Sequence, residues 1–541
     1  MPDLIKLFHL PATNFLSNLD LWIVLIYAVA IFALAQIVSR RKSTEAVSSK
    51  GYFLAGNNLP WWAIGASLIA ANISAEQIIG MSGSGYAIGL GIASYEWMAA
   101  LTLLIVGKFF LPIFLHNNVS TMPQFLEQRY GPSVRTVMAV FWLLLYVFVN
   151  LTSILWLGSL AIHTVTGVDQ FYALVILGFF ALAYQLWGGL KAVALTDIVQ
   201  VALLVTGGLI IVFISMNQIS GGVGAVAGFH TLLSRFPDKF VMILPPSNPH
   251  YKELPGIAVL LGGLWVMNLS YWGFNQYIIQ RALGAKSVRE AQAGIAFAAY
   301  LKLLMPVIVV LPGMAALILA PHLAKPDQAY PTMMRLLPPG LLGLVFAALV
   351  AAIIASLASK INSIGTIFTL DIYSHIFKQS DERRLVLVGR LTAVAAVIIG
   401  VLMAKPLLGS FDQGFQYIQD FTAFFTPGIV VIFMLGLFWK PATTAGALTG
   451  AVGSFVLSAA FYVAPMITHG AFPEIPFMNR VSIVFLICLA AAVVVSLARP
   501  ATTREVNTVD LVGVSYKTSP VFNIAGLGVI LILIALYYTW W

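Results

Sequence analysis

Long apolar runs recur along the chain, and each has the length of a helix that crosses a bilayer. Such a helix needs roughly 20 apolar residues, and on that measure the pattern predicts about fourteen spans. Short links join them, so we expect a single membrane transport domain over residues 1–541. The adjacent glycines Gly188 and Gly189 predict a tight turn between two of the spans. The predicted limits are 20–39, 57–80, 88–115, 134–162, 171–189, 192–215, 255–280, 291–320, 338–374, 385–405, 413–438, 442–466, 479–498 and 521–540.

The span at residues 57–80 carries polar side chains at its centre. They are Asn72, Ser74, Glu76 and Gln77. The hydrocarbon of a bilayer offers these groups no hydrogen bonds, so they must face protein or water. We expect the helix to unwind at Asn72, so that freed carbonyls and side chains bind a cation and a polar solute.

A second interrupted span lies at residues 255–280, with five spans between its start and that of the first. Its centre holds Asn268, Ser270 and Tyr271. Interrupted helices at matching places in two halves are typical of inverted-repeat transporters, with the site at the membrane midplane. The predicted units are an extra first span at 20–39, repeats at 57–215 and 255–438, and three extra spans within 442–540.

Composition and charge place the chain in a membrane. Only 9% of the residues are charged and 60% are hydrophobic, with a mean hydropathy of +0.93. About a quarter of a soluble domain is charged. The net charge of +9 does not indicate nucleic acid, because the basic residues flank the spans. Cytoplasmic loops carry the excess of Lys and Arg, which predicts a cell (inner) membrane protein with both termini outside the cytoplasm.

Enzyme and channel functions fit the sequence poorly. The eight histidines fall in loops or near span ends, and Cys488 is the only cysteine, so neither a catalytic constellation nor metal-ligand spacing is present. Two broken helices fit an occluding site better than an open pore. The pattern therefore favours a transporter that is not an enzyme.

Several segments resemble one family over nearly the whole chain. The resemblance is strongest in residues 72–77, 94–98, 271–281 and 415–419. In these segments the chain resembles the sodium/solute symporters, and among them the sodium-coupled sugar transporters. The resemblance implies an all-α fold of the leucine-transporter type, with five-plus-five inverted repeats, and sodium-coupled uptake of a galactose- or glucose-like sugar by alternating access.

The resemblance also implies residues for the sugar and its gate. Binding a sugar needs converging amides and charges on its hydroxyls and an aromatic plate over its ring. Asn72 either bridges the unwound segment and the ligand or only satisfies freed backbone groups. The implied sugar residues are Gln77, Glu96, Asn268, Lys302, Gln419 and Tyr271, joined by Asn72 on the first reading, and the implied outer gate is Met81, Tyr95 and Phe415.

A sodium site is implied at the carbonyls of Ala70, Ile73 and Ala352 and the hydroxyl of Ser356. A second hydroxyl of the family is replaced here by Ala355.

Lys360 follows Ser356 by one helical turn, on the same face. We expect its ammonium to turn toward Asp197 on the ion path, which leaves a sodium site of lower affinity. In the alternative, the ammonium occupies the site itself and the carrier moves a sugar or related polyol without sodium or with another cation.

Overall fold

A computed structural model describes residues 15–40, 60–117, 119, 122–378, 381–499, 509 and 511–541, without the side chains of 32, 34–40, 186–198, 276, 277, 280 and 382. The fold is all-helical, as predicted. The helices are α1 (Asn18–Arg40), α2 (Trp61–Asn72), α3 (Glu76–Ala87), α4 (Leu90–His116), α5 (Met122–Tyr130), α6 (Pro132–Thr166), α7 (Gln170–Ile219), α8 (Ala225–Arg235), α9 (Ala258–Leu261), α10 (Gly263–Gly273), α11 (Gln276–Leu283), α12 (Val288–Leu319), α13 (Ala329–Met334), α14 (Leu341–Phe377), α15 (Glu382–Leu408), α16 (Gly414–Thr422), α17 (Thr426–Phe438), α18 (Thr444–Ile467), α19 (Phe477–Ala498) and α20 (Pro520–Trp540).

The helices make the chain a multi-pass membrane protein. Among the described residues, nine are long and apolar enough to cross a membrane, and two bent pairs raise the number to eleven. The sequence predicts about fourteen spans of roughly 20 residues. The described apolar part of α1 is short, and so is the first apolar part of α7, Gln170–Gln185. The helices α9, α10 and α11 are each shorter than a span.

Helix α7 corrects one detail of the predicted topology. Residues 171–189 and 192–215, predicted as two spans, lie in this single helix, and its backbone has no turn at Gly188 and Gly189. A glycine costs only about 1 kcal/mol relative to alanine inside a helix, so two glycines do not by themselves end one.

Burial separates central helices from peripheral ones. The most apolar windows of α4 and α14 are each 72% buried and that of α12 is 67% buried. The corresponding windows of α15 and α20 are only 22% buried. The central helices hold the site residues, whereas the peripheral ones expose apolar side chains, as lipid-facing helices do.

Helix α1 fixes the start of α14. The carboxylate of Asp20 accepts hydrogen bonds from the backbone N–H groups of Gly340 and Gly343, both at 2.7 Å. The first N–H groups of a helix have no partner inside it, so Asp20 supplies one. A Cβ on Gly343 would lie 2.6 Å from the Cα of Asp20, and only glycine allows this approach. The contact positions α14, which carries Ser356.

Candidate functional site

The predicted unwinding at Asn72 is present. Helix α2 ends at Asn72, α3 begins at Glu76, and the two are bent by 69°. Ile73 leaves the helical conformation, with φ −71° and ψ 107°. A helix end leaves carbonyls without partners in the helix. The break therefore offers backbone oxygens in the middle of the membrane.

The second interruption is also present, within the predicted span 255–280 but after the polar residues at its centre. Helix α10 ends at Gly273 and α11 begins at Gln276, so the break falls at Phe274 and Asn275. The hydroxyl of Tyr146 donates a hydrogen bond to Asn275 Oδ1 at 3.4 Å. This contact joins α6 to the broken segment.

A third break was missed by the sequence analysis. Helices α16 and α17 are bent by 45°, where a single span, 413–438, was predicted. Pro427 is the signal that could have located the break, because proline is common in the first turn of a helix. Gln419 lies on α16, before this break.

Lys302 and Glu96 form a buried ion pair at the centre of the protein. Lys302 Nζ lies 2.6 Å from Glu96 Oε2, and their side chains are 0% and 5% exposed. Lys302 also donates to Asn72 Oδ1 and lies over the ring of Trp272, 4.9 Å from its centroid. Asn72 Nδ2 in turn donates to the hydroxyl of Tyr271 at 3.1 Å. One network thus joins α2, α4, α10 and α12.

All the predicted sugar residues line one cavity beside this network. Two side-chain amides of the lining make few hydrogen bonds to the protein. Asn268 Nδ2 is buried without a hydrogen-bond partner among the described residues, and Gln77 Nε2 donates to the sulfur of Met81 at 3.3 Å. Buried amides without partners are costly, so the cavity suits a polar solute. Its lining includes Asn72, Gln77, Glu96, Asn268, Tyr271, Lys302 and Gln419.

Two of the three predicted gate residues line this cavity. The rings of Tyr95 and Phe415 meet edge to face, with centroids 5.1 Å apart, and both line the cavity. Met81 is fully buried and is not part of the lining. The backbone of Phe415 lies against Gly80, where a Cβ would approach within 3.3 Å. Phe415 therefore packs α16 closely against α3.

The predicted sodium residues are buried but lie off the main cavity. Ala70, Ile73, Ala352 and Ser356 are each less than 9% exposed, and none lines the cavity. Ala70 and Ile73 belong to the α2 break, whereas Ala352 and Ser356 lie on α14.

Lys360 lies inside the protein, with its ammonium over the ring of Tyr146 and 4.9 Å from the centroid. The side chain of Asp197, its predicted partner, lies outside the described residues.

Glu76 is the site residue that the sequence analysis named but gave no role. Its carboxylate accepts hydrogen bonds from Ser153 Oγ at 2.5 Å and Ser74 Oγ at 3.4 Å. Ser153 lies on α6, far from Glu76 in the chain, so no local pattern could have identified the pair.

The fold and the site define a secondary transporter, with broken helices around a central polar cavity. The sequence profile described as "Sodium:solute symporter family" matches residues 52–453. The chain belongs to the sodium/solute symporter family.

Two curated relatives and one solved structure show the range of similarity. The chain is 48% identical to the sodium/glucose cotransporter of Vibrio parahaemolyticus, over 97% of this chain and 99% of the relative. It is 33% identical to sodium/myo-inositol cotransporter 2 of Mus musculus, over 81% and 69% of the two chains. A Na⁺-coupled sialic acid symporter in a substrate-bound outward-open state superposes with a TM-score of 0.72 at 22% identity, covering 90% of this chain and 98% of that one. The fold is therefore the leucine-transporter type predicted from the sequence.

Proposed function

We propose that the protein is a symporter in which sodium moving down its gradient drives uptake of a glucose- or galactose-like monosaccharide. The observation that carries this proposal is the buried Lys302–Glu96 pair in a cavity that is also lined by the unsatisfied amide nitrogen of Asn268. A sugar offers many hydroxyls, each of which can donate and accept. The printed function of the Vibrio parahaemolyticus relative supports the same substrate class.

The sugar would lie between two kinds of contact. The amides of Gln77, Asn268 and Gln419 and the Lys302–Glu96 pair would bond its hydroxyls. Tyr271 would cover a face of the ring, with its hydroxyl held by Asn72. Of the two readings of Asn72, this bond favours the bridging one, because both ends of the amide are committed to site residues.

Met81, Tyr95 and Phe415 would form the outer gate of this site. Their burial and edge-to-face packing suit a closed state on that side. Alternating access then requires α3 and α16 to separate, because these gate residues lie on them or beside them.

Sodium would be bound by the carbonyls of Ala70, Ile73 and Ala352 and the hydroxyl of Ser356. Hard oxygen ligands are what an alkali cation requires, and the α2 break provides backbone oxygens.

The sequence repeats at 57–215 and 255–438 would carry the two halves of the site. Both termini would lie outside the cytoplasm, in the inner membrane, because of the distribution of Lys and Arg.

A sodium-independent or polyol carrier is the second candidate. Ala355 lacks the hydroxyl of the family, and Lys360 brings an ammonium within one turn of Ser356. The mouse relative named for myo-inositol makes a polyol the natural competitor to a hexose.

Uptake by the purified protein in proteoliposomes separates these candidates. Radiolabelled glucose, galactose and myo-inositol would be tested with an inward sodium gradient and with the gradient replaced by potassium. We expect accumulation of a monosaccharide only with sodium. Equal uptake in potassium would contradict sodium coupling, and preference for myo-inositol would contradict the sugar assignment.

A further inference from the structure

Helix α16 is the shortest of the helices that carry the predicted sugar residues. It has nine residues, Gly414–Thr422, and a bend of 45° separates it from α17. A helix as short as this is only marginally stable by itself. Gln419 lies in its second half, so the direction of this amide depends on what holds α16 from outside.

An ion pair joins α16 to α19 at the residue that follows Gln419. Arg480 Nη2 donates a hydrogen bond to Asp420 Oδ1, and the two side chains are 6% and 22% exposed. A hydrogen bond between two charged groups is stronger than a neutral one, and burial protects it from screening by solvent. The pair therefore fixes the turn of α16 that carries Gln419.

The guanidinium of Arg480 is held by two aromatic rings as well. Its carbon Cζ lies 5.3 Å from the ring centroid of Phe424 and 5.4 Å from that of Tyr462. A cation is attracted to the face of such a ring. Phe424 belongs to the break between α16 and α17, and Tyr462 belongs to α18. Arg480 thus contacts α16, the break that follows it and α18.

The first turn of α19 also packs against α10, the helix that carries Asn268 and Tyr271. A Cβ on Gly263, the first residue of α10, would lie 2.2 Å from the carbonyl oxygen of Met478. Atoms do not approach so closely, so only glycine allows this contact. The same end of α19 therefore supports two helices of the cavity, α10 and α16.

We propose that Arg480 is a positioning residue for sugar binding, which holds Gln419 toward the cavity through its ion pair with Asp420. This inference rests on the proposed function, because it requires Gln419 to bind the sugar. With the pair intact, the amide is already in place when the sugar arrives, and less ordering is needed on binding. Arg480 lies beyond residues 52–453, which the family profile matches. A helix outside the two predicted repeats thus supports a residue of the sugar site.

The test is a double-mutant cycle between Arg480→Met and Gln419→Ala. Binding of radiolabelled glucose and galactose is measured on the detergent-solubilised protein at saturating sodium. We expect Arg480→Met to weaken binding about tenfold in the wild-type background, which is within the range for residues coupled in one network. In the Gln419→Ala background the same change should weaken binding less than about twofold, because the amide that it positions is absent. A purely structural role would give equal losses in both backgrounds.

Further variants separate the ion pair from a general loss of folding. Asp420→Asn combined with Arg480→Gln removes both charges, so neither is left buried alone, and this variant replaces Arg480→Met if that protein does not fold. Arg480→Lys keeps the charge without the planar fork and should weaken binding less than Arg480→Met. Lys252→Met breaks an exposed ion pair with Glu474 and should leave sugar binding unchanged. Thermal unfolding of each variant reports whether it folds.

Three results distinguish the ways in which the inference can fail. Wild-type sugar affinity in the folded Arg480 variants, together with a loss in Gln419→Ala, would overturn the role of Arg480 and leave the sugar site intact. Equal losses from Arg480→Met in the two backgrounds would show that Arg480 does not act through Gln419. Wild-type affinity in Gln419→Ala would contradict the proposed sugar site itself, and this inference with it.

Discussion

Two buried lysines of this protein lie in different surroundings. Lys302 contacts Glu96 directly, with 2.6 Å between the charged atoms. Lys360 instead lies over the ring of Tyr146, while Glu76 accepts hydrogen bonds from the hydroxyls of Ser153 and Ser74. Burying a charge is costly unless it is compensated. The direct pair compensates itself, so it can serve as a fixed part of a polar site.

Lys360 and Glu76 show a second way of accommodating buried charge, through an aromatic face and through hydroxyl donors. In the proposed function the Lys302–Glu96 pair serves the sugar.

The largest effect is expected from breaking the direct pair. Glu96→Gln leaves the Lys302 ammonium without a carboxylate, and removing one member of a buried pair costs about 3–5 kcal/mol. We expect sugar affinity to fall at least about 100-fold on that scale. Sugar binding to the detergent-solubilised variant measures it, with Gln419→Ala as a milder comparison that removes one amide. Wild-type affinity in Glu96→Gln would exclude Glu96 from the sugar site.

The next effect concerns the aromatic plate beside the direct pair. Tyr271→Phe keeps the ring and loses the hydrogen bond from Asn72, worth about 1 kcal/mol, so uptake should fall about fivefold or less. Tyr271→Ala also loses the ring, and we expect at least about a further tenfold loss. Initial rates of uptake at low sugar concentration distinguish the two. Equal rates in both variants would contradict stacking on the sugar.

A smaller effect is expected on stability. Glu76→Gln keeps a side chain that Ser153 can still bond, whereas Glu96→Gln leaves a charge that had contacted the carboxylate directly. The fall in Tm should therefore be at most about half as large in Glu76→Gln. Thermal unfolding in the same detergent, without sugar or sodium, gives the comparison. A larger fall in Glu76→Gln would mean that Glu76 contributes more to stability than Glu96 does.

The smallest effect comes from a buried carboxyl that bonds no cationic side chain among the described residues. Asp327 lies in a 3₁₀ turn, Pro326–Gln328, outside the membrane spans. Its Oδ2 accepts from the N–H of Gly414 at 2.7 Å, and its Oδ1 has no partner among the described residues. Burial raises the pKa of Asp327 from 3.8 to about 7, with Asp412 adding to the rise. The N–H of Gly414 and the ammonium of Lys325 oppose that rise, although Lys325 bonds backbone carbonyls instead.

A raised pKa in the folded state fixes the sign of the pH dependence. The folded protein holds this proton more tightly than the unfolded chain, so its stabilising effect is full below about pH 4 and is lost as the pH rises through about 7. Because of this group, we expect the Tm of the wild type to fall between pH 5 and 8 by on the order of a few degrees. Asp327→Asn should lack this contribution to the fall. The difference between the two Tm curves isolates this group. Parallel curves would contradict a buried, protonated Asp327.

The sequence by itself determined the membrane class, the family and the broken helix at Asn72. These follow from local signals, namely apolar runs of fixed length and polar residues that lipid cannot accommodate. The amides and charges around the cavity were also identified as residues, because buried polar groups in a membrane span are rarely without a partner.

Only the tertiary structure decided how those residues pair. Lys302 and Glu96 are 206 residues apart, and Ser153 lies 77 residues from Glu76. Neither hydropathy nor helical periodicity carries information over such separations, because each reports only on neighbours along one helix. The break between α16 and α17 had a local signal in Pro427, whereas the two glycines of α7 did not decide whether that helix continues. The sequence alone identified the polar groups of the site. Which of them are in contact was determined by the packing of the helices that carry them, namely α2, α4, α6, α12 and α14.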